Sequence, residues 1–357
     1  MIGDQSATAT ATRAVPHPWP IWGHDEAVES LRRSMQADRV RHAYLLAGPA
    51  GVGKTALALE FTKALLCTGA PVVGASCGVC LSCRKISREV HPDVQRFDVA
   101  SQTAAAAKPG GKNTTLTIDT VRLLVSTTSL RPMEGRWRVM MLDDAELMQE
   151  TAQEALLKTL EEPPSFTVML VSTDDIQTLL PTIQSRCEVL ELRPVALNAI
   201  RDGLARDGVE IGEAADLAAL AGGSPGWAIR ASRQPELRRA RESAVERALA
   251  WIGATPYQRI VTAFKLGDGF SKRREVVFAD LDALTGVWRD VMLASTGQSD
   301  YLHYRFSSGQ IVALAESWTL ESVFGAVRSV RACVADLEAN VRPRLAIESM
   351  VLQWPTS

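Results

Sequence analysis

Eight residues near the start of the chain, GPAGVGKT from Gly48 to Thr55, set three glycines, a lysine and a threonine at the spacing G-x-x-x-x-G-K-[ST]. Glycine lets successive backbone N–H groups turn toward an anion with no Cβ in the way. The backbone of Gly48, Pro49, Ala50, Gly51, Val52 and Gly53 would cradle phosphate oxygens. Lys54 would meet the outer phosphates, and Thr55 would offer a hydroxyl to Mg²⁺. The chemistry is nucleotide binding, with ATP and Mg²⁺ as the expected ligands; the competing reading is a chance Gly-rich turn. Such a site also needs an acid at the tip of a neighbouring strand. The run VMMLDD supplies two. Asp143 is expected to orient Mg²⁺, directly or through water, and Asp144 sits where a water-activating acid belongs. A strand-end Asp can also be a plain cap. Asp144 is one methylene shorter than glutamate, and base catalysis depends on hydrogen-bond reach. Hydrolysis is therefore less secure than binding.

A dozen residues past that loop, Cys67, Cys77, Cys80 and Cys83 are spaced C-x9-C-x2-C-x2-C and make up four of the six cysteines. Four thiolates complete a tetrahedral shell for Zn²⁺, so a closed, structural site is expected. Buried free thiols, or one disulfide with two spare cysteines, are the alternatives. Cys187 and Cys333 stand in apolar surroundings and read as core thiols. His91, eight residues beyond the cluster, reads as a turn or surface residue. Trp19 and Trp22 read as packing residues, with stacking on an adenine as the alternative.

The elements that must hold these groups follow from periodicity. Ile21 to Val40 carries Ala27, Leu31 and Met35 at helical spacing. His42 to Gly48 is an apolar strand running into the Gly-rich turn, and a helix follows from Thr55. The stretch 100–115, ASQTAAAAKPGGKNTT, reads as a mobile surface loop. Trp137 to Met148 is a second strand ending at the two aspartates. QEALLKTLEE is a helix that Pro163 and Pro164 must stop. Phe166 to Thr173 and Ser185 to Val195 are two further strands. Strands alternating with helices predict an α/β P-loop module on a parallel sheet. Beyond residue 196 the pattern is helical. The expected domains are a disordered tail at 1–19, a nucleotide-binding domain at 20–195 with the zinc module at 67–83, a helical lid at 196–240 and an all-α collar for oligomerisation at 241–357.

With 39 basic and 41 acidic residues the formal charge is −2. That excludes a whole-chain electrostatic grip on nucleic acid, so any DNA contact must be local or made by a partner. No run of about 18 apolar residues is present to span a membrane. The first twenty residues lack the apolar stretch of a secretory signal. A cytoplasmic, reducing compartment is the expectation, in which clustered cysteines favour a metal over disulfides.

GPAGVGKT, the cysteine insert behind it, LLKTLEEPP (Leu156 to Pro164) and SRC (Ser185 to Cys187) occur together in this order. The combination resembles the bacterial DNA polymerase III clamp loader, a branch of the AAA+ ATPases, over roughly residues 20 to 350. The resemblance implies a hetero-pentamer of gamma/tau and delta-type subunits that sets a sliding clamp on primed DNA, with ATP at subunit interfaces. It implies that Arg186 of SRC is an arginine finger supplied in trans to a neighbour's γ-phosphate. It also implies that Thr173 is a γ-phosphate sensor.

Within that family the departures resemble the delta prime branch. The acid strand ends Asp143-Asp144 where a motor subunit has Asp-Glu. The later GGSPGWAIR, Gly222 to Arg230, has Gly226 where a motor has a sensing arginine, and Arg230 reads as a solvated charge. The ending Asn340 to Pro355 is an amphipathic helix suited to a helical collar. The resemblance therefore implies a stator that binds ATP with weak or absent hydrolysis, with an ATP-hydrolysing gamma/tau motor as the alternative. The chain shows no polymerase active site, so membership of a polymerase holoenzyme would be by association.

Overall fold

The computed structural model describes residues 19–70, 72–105 and 115–356. The chain divides into two units, Met1–Val195 and Ala196–Ser357. The first runs α1 (Asp25–Gln36), β1 (Ala43–Ala47), α2 (Lys54–Leu66), α3 (Leu81–Ser87), β2 (Val94–Phe97), α4 (Val99–Ala105), α5 (Ile118–Thr128), β3 (Arg138–Leu142), α6 (Glu150–Glu161), β4 (Thr167–Thr173), α7 (Pro181–Gln184) and β5 (Glu188–Glu191). The five strands form one sheet in the order β2-β3-β4-β1-β5. Every pairing is parallel. The expected α/β P-loop module is thus borne out.

AYLLA of β1, RVMML of β3 and TVMLVST of β4 are buried at every position. Continuous apolar runs of this kind belong to strands covered on both faces. On one face Leu45, Met140, Leu142, Met169 and Val171 pack with Ala152, Leu156 and Leu160 of α6. Elsewhere in this unit Phe61 of α2 meets Tyr44 edge-on at 5.2 Å, with Trp19 beyond it at 6.2 Å. Fully burying a side chain of Phe61's size contributes roughly 3 kcal/mol. Trp19 also donates its indole N–H to the Gly74 carbonyl at 3.1 Å, so it is a core residue.

Three local readings are corrected. β2 completes the sheet as a fifth strand; VQRF is short and mostly half-buried, the profile of an edge strand with little apolar signal. Residues 99–105 are helical rather than loop: the Asp98 carboxylate accepts from the Ser101 N–H at 2.6 Å, a cap that starts a helix rich in alanine. The remainder of the expected loop, 106–114, lies outside the described residues, as do the first 18 residues of the expected tail. His91 is buried. Its Nε2 meets Ser82 Oγ at 3.0 Å and its Nδ1 accepts from the Asp93 N–H at 3.1 Å.

The second unit carries α8 (Leu197–Arg206), α9 (Ile211–Leu220), α10 (Pro225–Arg233), α11 (Pro235–Ile252), α12 (Pro256–Asp268), α13 (Arg274–Ser295), α14 (Ser308–Ser317), α15 (Leu320–Glu338) and α16 (Pro343–Leu352). Its core gathers Trp251, Val287, Trp288, Val330, Ile347 and Trp354, and reaches back to Leu220 and Trp227 in the segment expected as a lid. Arg259 fastens the C-terminal end. It donates to the Pro355 carbonyl at 2.6 Å and to the Ile252 carbonyl, with its guanidinium 5.8 Å from the Trp318 and Trp354 rings. Among the described residues no helix is long and apolar enough to cross a membrane.

Candidate functional site

Parallel α/β sheets present their sites at the carboxyl ends of the strands. Here β1 ends into Gly48, β3 into Asp143 and β4 into Thr173 and Asp174, with Ala47 in register with Thr173. The sheet therefore brings the glycine loop and both expected acids to one edge. Gly48 is pressed against the backbone: a Cβ there would lie 2.1 Å from the Leu192 carbonyl oxygen. Gly48→Ala is expected to destabilise the first unit by about 3 kcal/mol or more, since neither backbone segment can yield cheaply. Urea unfolding checks it; an unchanged midpoint contradicts the fit.

Gly51 and Gly53 hold the positive φ values of 73° and 119° that the loop requires. Lys54 opens α2 and is buried. Its ammonium donates to the Gly48 carbonyl at 2.6 Å and the Pro49 carbonyl at 3.2 Å, and pairs with Asp174 at 2.5 Å. Asp174 is in turn steadied by its own N–H, which donates to Glu146 at 2.9 Å. The loop, the lysine and Thr55 at the start of a helix fit a phosphate-bearing nucleotide. A cleft of about 630 Å³ lies beside them, lined by His24, Asp25, Val189, Glu191, Arg193 and Val195. His24 links the cleft to the loop through its Nε2, 3.0 Å from the Val52 carbonyl oxygen. That volume is of the size that holds a small organic ligand.

The acids are less free than their positions imply. Asp143 is 5% exposed, and both of its oxygens are engaged. Ser172 Oγ donates to one at 2.5 Å, and Arg96 Nε donates to the other at 2.7 Å. Burial alone would lower the Arg96 guanidinium; Asp143, Asp98 and Glu89 outweigh it and hold it above its ordinary value. Asp144 adopts the left-handed conformation at φ 57° and accepts from the Val99 N–H at 3.4 Å. Burial raises its carboxyl, the Val99 N–H counters that, and the charges of Asp143, Asp98 and Asp174 add to the rise. Thr173 is buried and donates its hydroxyl to the Asp175 carbonyl at 2.9 Å.

The four clustered cysteines converge: their Sγ atoms all lie within 4.8 Å of one another. A tetrahedral Zn–S₄ site with bonds of about 2.3 Å has sulfur–sulfur edges of about 3.8 Å, and Cys67 and Cys80 stand 3.9 Å apart. Backbone N–H groups already point at the sulfurs, Cys77 to Cys67 at 3.3 Å, Cys80 to Cys77 at 3.2 Å and Cys83 to Cys80 at 3.4 Å. Burial pushes the Cys80 thiol up, but the Cys83 and Thr68 N–H groups outweigh it and hold it at about 5. Burial raises Cys83 and Cys67, while the Cys80 and Val79 N–H groups lower Cys77. The donor set is compatible with zinc. Cys187 and Cys333 stand apart, each pushed up to about 12 by burial.

Arg186 lies just past α7, with its side chain 33% exposed. Its guanidinium donates to Glu161 at 2.6 Å and to the Thr182 carbonyl at 3.0 Å. Neither partner belongs to the glycine loop. Arg230 is exposed in the second unit. Three participants escaped sequence reasoning: His24, Arg96 and Asp174. Each acts through a tertiary contact, and nothing in its immediate neighbours marks it.

Residues 23–196 match the family model described as DNA polymerase III, delta subunit. The tau subunit of DNA polymerase III from Salmonella typhimurium is 34% identical over 185 residues, 52% of this chain and 26% of that protein. The delta prime subunit from Pseudomonas aeruginosa is 39% identical over 189 residues, 52% of this chain and 53% of that protein. The delta prime subunit from Bacillus subtilis is 28% identical over 327 residues, 90% of this chain and 93% of that protein. The chain thus spans about a quarter of the tau relative and about half of the Pseudomonas protein.

Proposed function

We propose that this chain, whose residues 23–196 match the family model described as DNA polymerase III, delta subunit, is the delta prime stator of a clamp loader. In this reading it joins gamma/tau and delta subunits in a cytoplasmic hetero-pentamer that sets a sliding clamp on primed DNA. It binds ATP in the Gly48–Thr55 loop, turns it over weakly or not at all, and carries Zn²⁺ on Cys67, Cys77, Cys80 and Cys83. The observation that carries the reading is Arg186. It stands at the surface on an exchangeable ion pair with Glu161, away from its own glycine loop. A permanently charged, planar guanidinium so held can turn to a phosphate on a neighbouring subunit. The match to a delta prime subunit over 90% of this chain supports the same choice.

Nucleotide in this chain would serve assembly. The loop amides and Lys54 would hold the phosphates, and Asp174 would release Lys54 to them. Asp144, one methylene shorter than glutamate, has less reach toward a water, and Thr173 donates its hydroxyl to the Asp175 carbonyl. The intact loop favours one rival, a hydrolysing gamma/tau-type motor. The full chain, purified alone, is expected to bind ATP and to turn it over near background, with Asp144→Asn changing nothing. Turnover that matches a motor subunit and disappears in Asp144→Asn would decide for the rival.

A further inference from the structure

Asp143 occupies the position from which a strand-end carboxylate orients a divalent cation, yet its surroundings do not suit that task. Mg²⁺ requires oxygen lone pairs at about 2.1 Å in near-octahedral order. Both Asp143 oxygens already accept hydrogen bonds, one from the Ser172 hydroxyl and one from the Arg96 guanidinium. A guanidinium keeps its charge at any working pH, so it would also repel an approaching cation. Arg96 is fixed from two directions. Its backbone is in register with Met141 on the neighbouring strand, two residues before Asp143. Its side chain is braced by Glu89 at 3.2 Å and Asp98 at 3.6 Å.

We propose that Arg96 takes the place of the metal ion at Asp143, so that the loop accepts nucleotide with little dependence on Mg²⁺. This rests on the reading that the Gly48–Thr55 loop binds nucleotide. The two ion pairs at the strand ends differ in what it takes to open them. The Asp174 side chain is 43% exposed, so it returns to water when phosphates claim Lys54. The Asp143 side chain is 7% exposed, and losing Arg96 would leave a buried carboxylate without its counter-charge. Nucleotide can therefore displace the first pair, while a metal ion cannot displace the second. Arg96 is a positioning residue: it touches Asp143, sets how that carboxylate is used, and makes the site one that holds nucleotide without organising a metal for hydrolysis.

Calorimetric titration of the full chain with ATP, in excess Mg²⁺ and again in EDTA, tests this. The expected wild-type affinities agree within about threefold. Arg96→Gln frees Asp143 and is expected to bind about tenfold more tightly with Mg²⁺ than without. Arg96→Lys keeps the charge and is expected to stay near the wild-type ratio. A wild-type ratio of about tenfold or more overturns the proposal, whatever the variants do. So does an Arg96→Gln ratio equal to wild type. Absence of ATP binding in both buffers overturns the nucleotide reading itself, and the proposal with it, which separates the two failures.

Discussion

The chain carrying Cys83→Ala is expected to lose the proposed zinc and about 10 °C of thermal stability. Cys83 is the most buried of the four clustered cysteines and sits in the first turn of α3, where its N–H already points at Cys80. α3 is only seven residues long, too short to persist without tertiary support. Its neighbours are tied into the main sheet. Ser82 bonds His91, and two residues on Asp93 accepts from the Met133, Glu134 and Gly135 N–H groups at 2.6, 2.7 and 2.9 Å. Structural zinc supplies folding free energy directly. A share of about 4 kcal/mol, at about 2–4 °C per kcal/mol for a domain of this size, gives the expected shift. Native mass spectrometry reads the zinc and a thermal scan reads the stability. Cys187→Ala serves as the control and is expected to keep the metal. Full zinc content in Cys83→Ala would refute the closed four-thiolate site.

The second large effect is expected from Arg186→Ala. An arginine supplied across an interface to a phosphoryl-transfer site contributes about 10³ to 10⁵ in rate. ATP turnover by the neighbouring subunit, in a reconstituted assembly, is therefore expected to fall about a thousandfold at the interface this residue serves. The chain itself should scarcely notice. The Glu161 pair is solvent-exposed and contributes at most about 1 kcal/mol, so the unfolding temperature should move by less than about 4 °C. Loss of turnover together with a collapse in stability would instead give Arg186 a purely structural part.

Much of this site was legible because its signals are local. The glycine loop and the VMMLDD strand end each lie within eight residues and the cysteines within seventeen, so short stretches of backbone bring their groups together. The central strands announced themselves as unbroken apolar runs. The edge strand β2 did not, because VQRF is short, half-buried along most of its length and carries little apolar signal. The helical turn at 99–105 was hidden by residues common in loops; its cap at Asp98 decides it. Arg96, His24 and Asp174 escaped for a different reason. Arg96 meets Asp143 across 47 positions and Lys54 meets Asp174 across 120, and only the parallel register of the sheet makes those pairs. The acids were therefore found by sequence, while the partners that decide what the acids can do were not.

The central claim is that this chain serves by lending a charge to its neighbour rather than by burning nucleotide itself. The most direct measurement is clamp placement on primed DNA by assemblies that carry either Arg186→Ala or Lys54→Ala in this subunit alone. The account predicts that Arg186→Ala abolishes placement while Lys54→Ala leaves most of it. Placement that survives Arg186→Ala, or that vanishes only with Lys54→Ala, would contradict it.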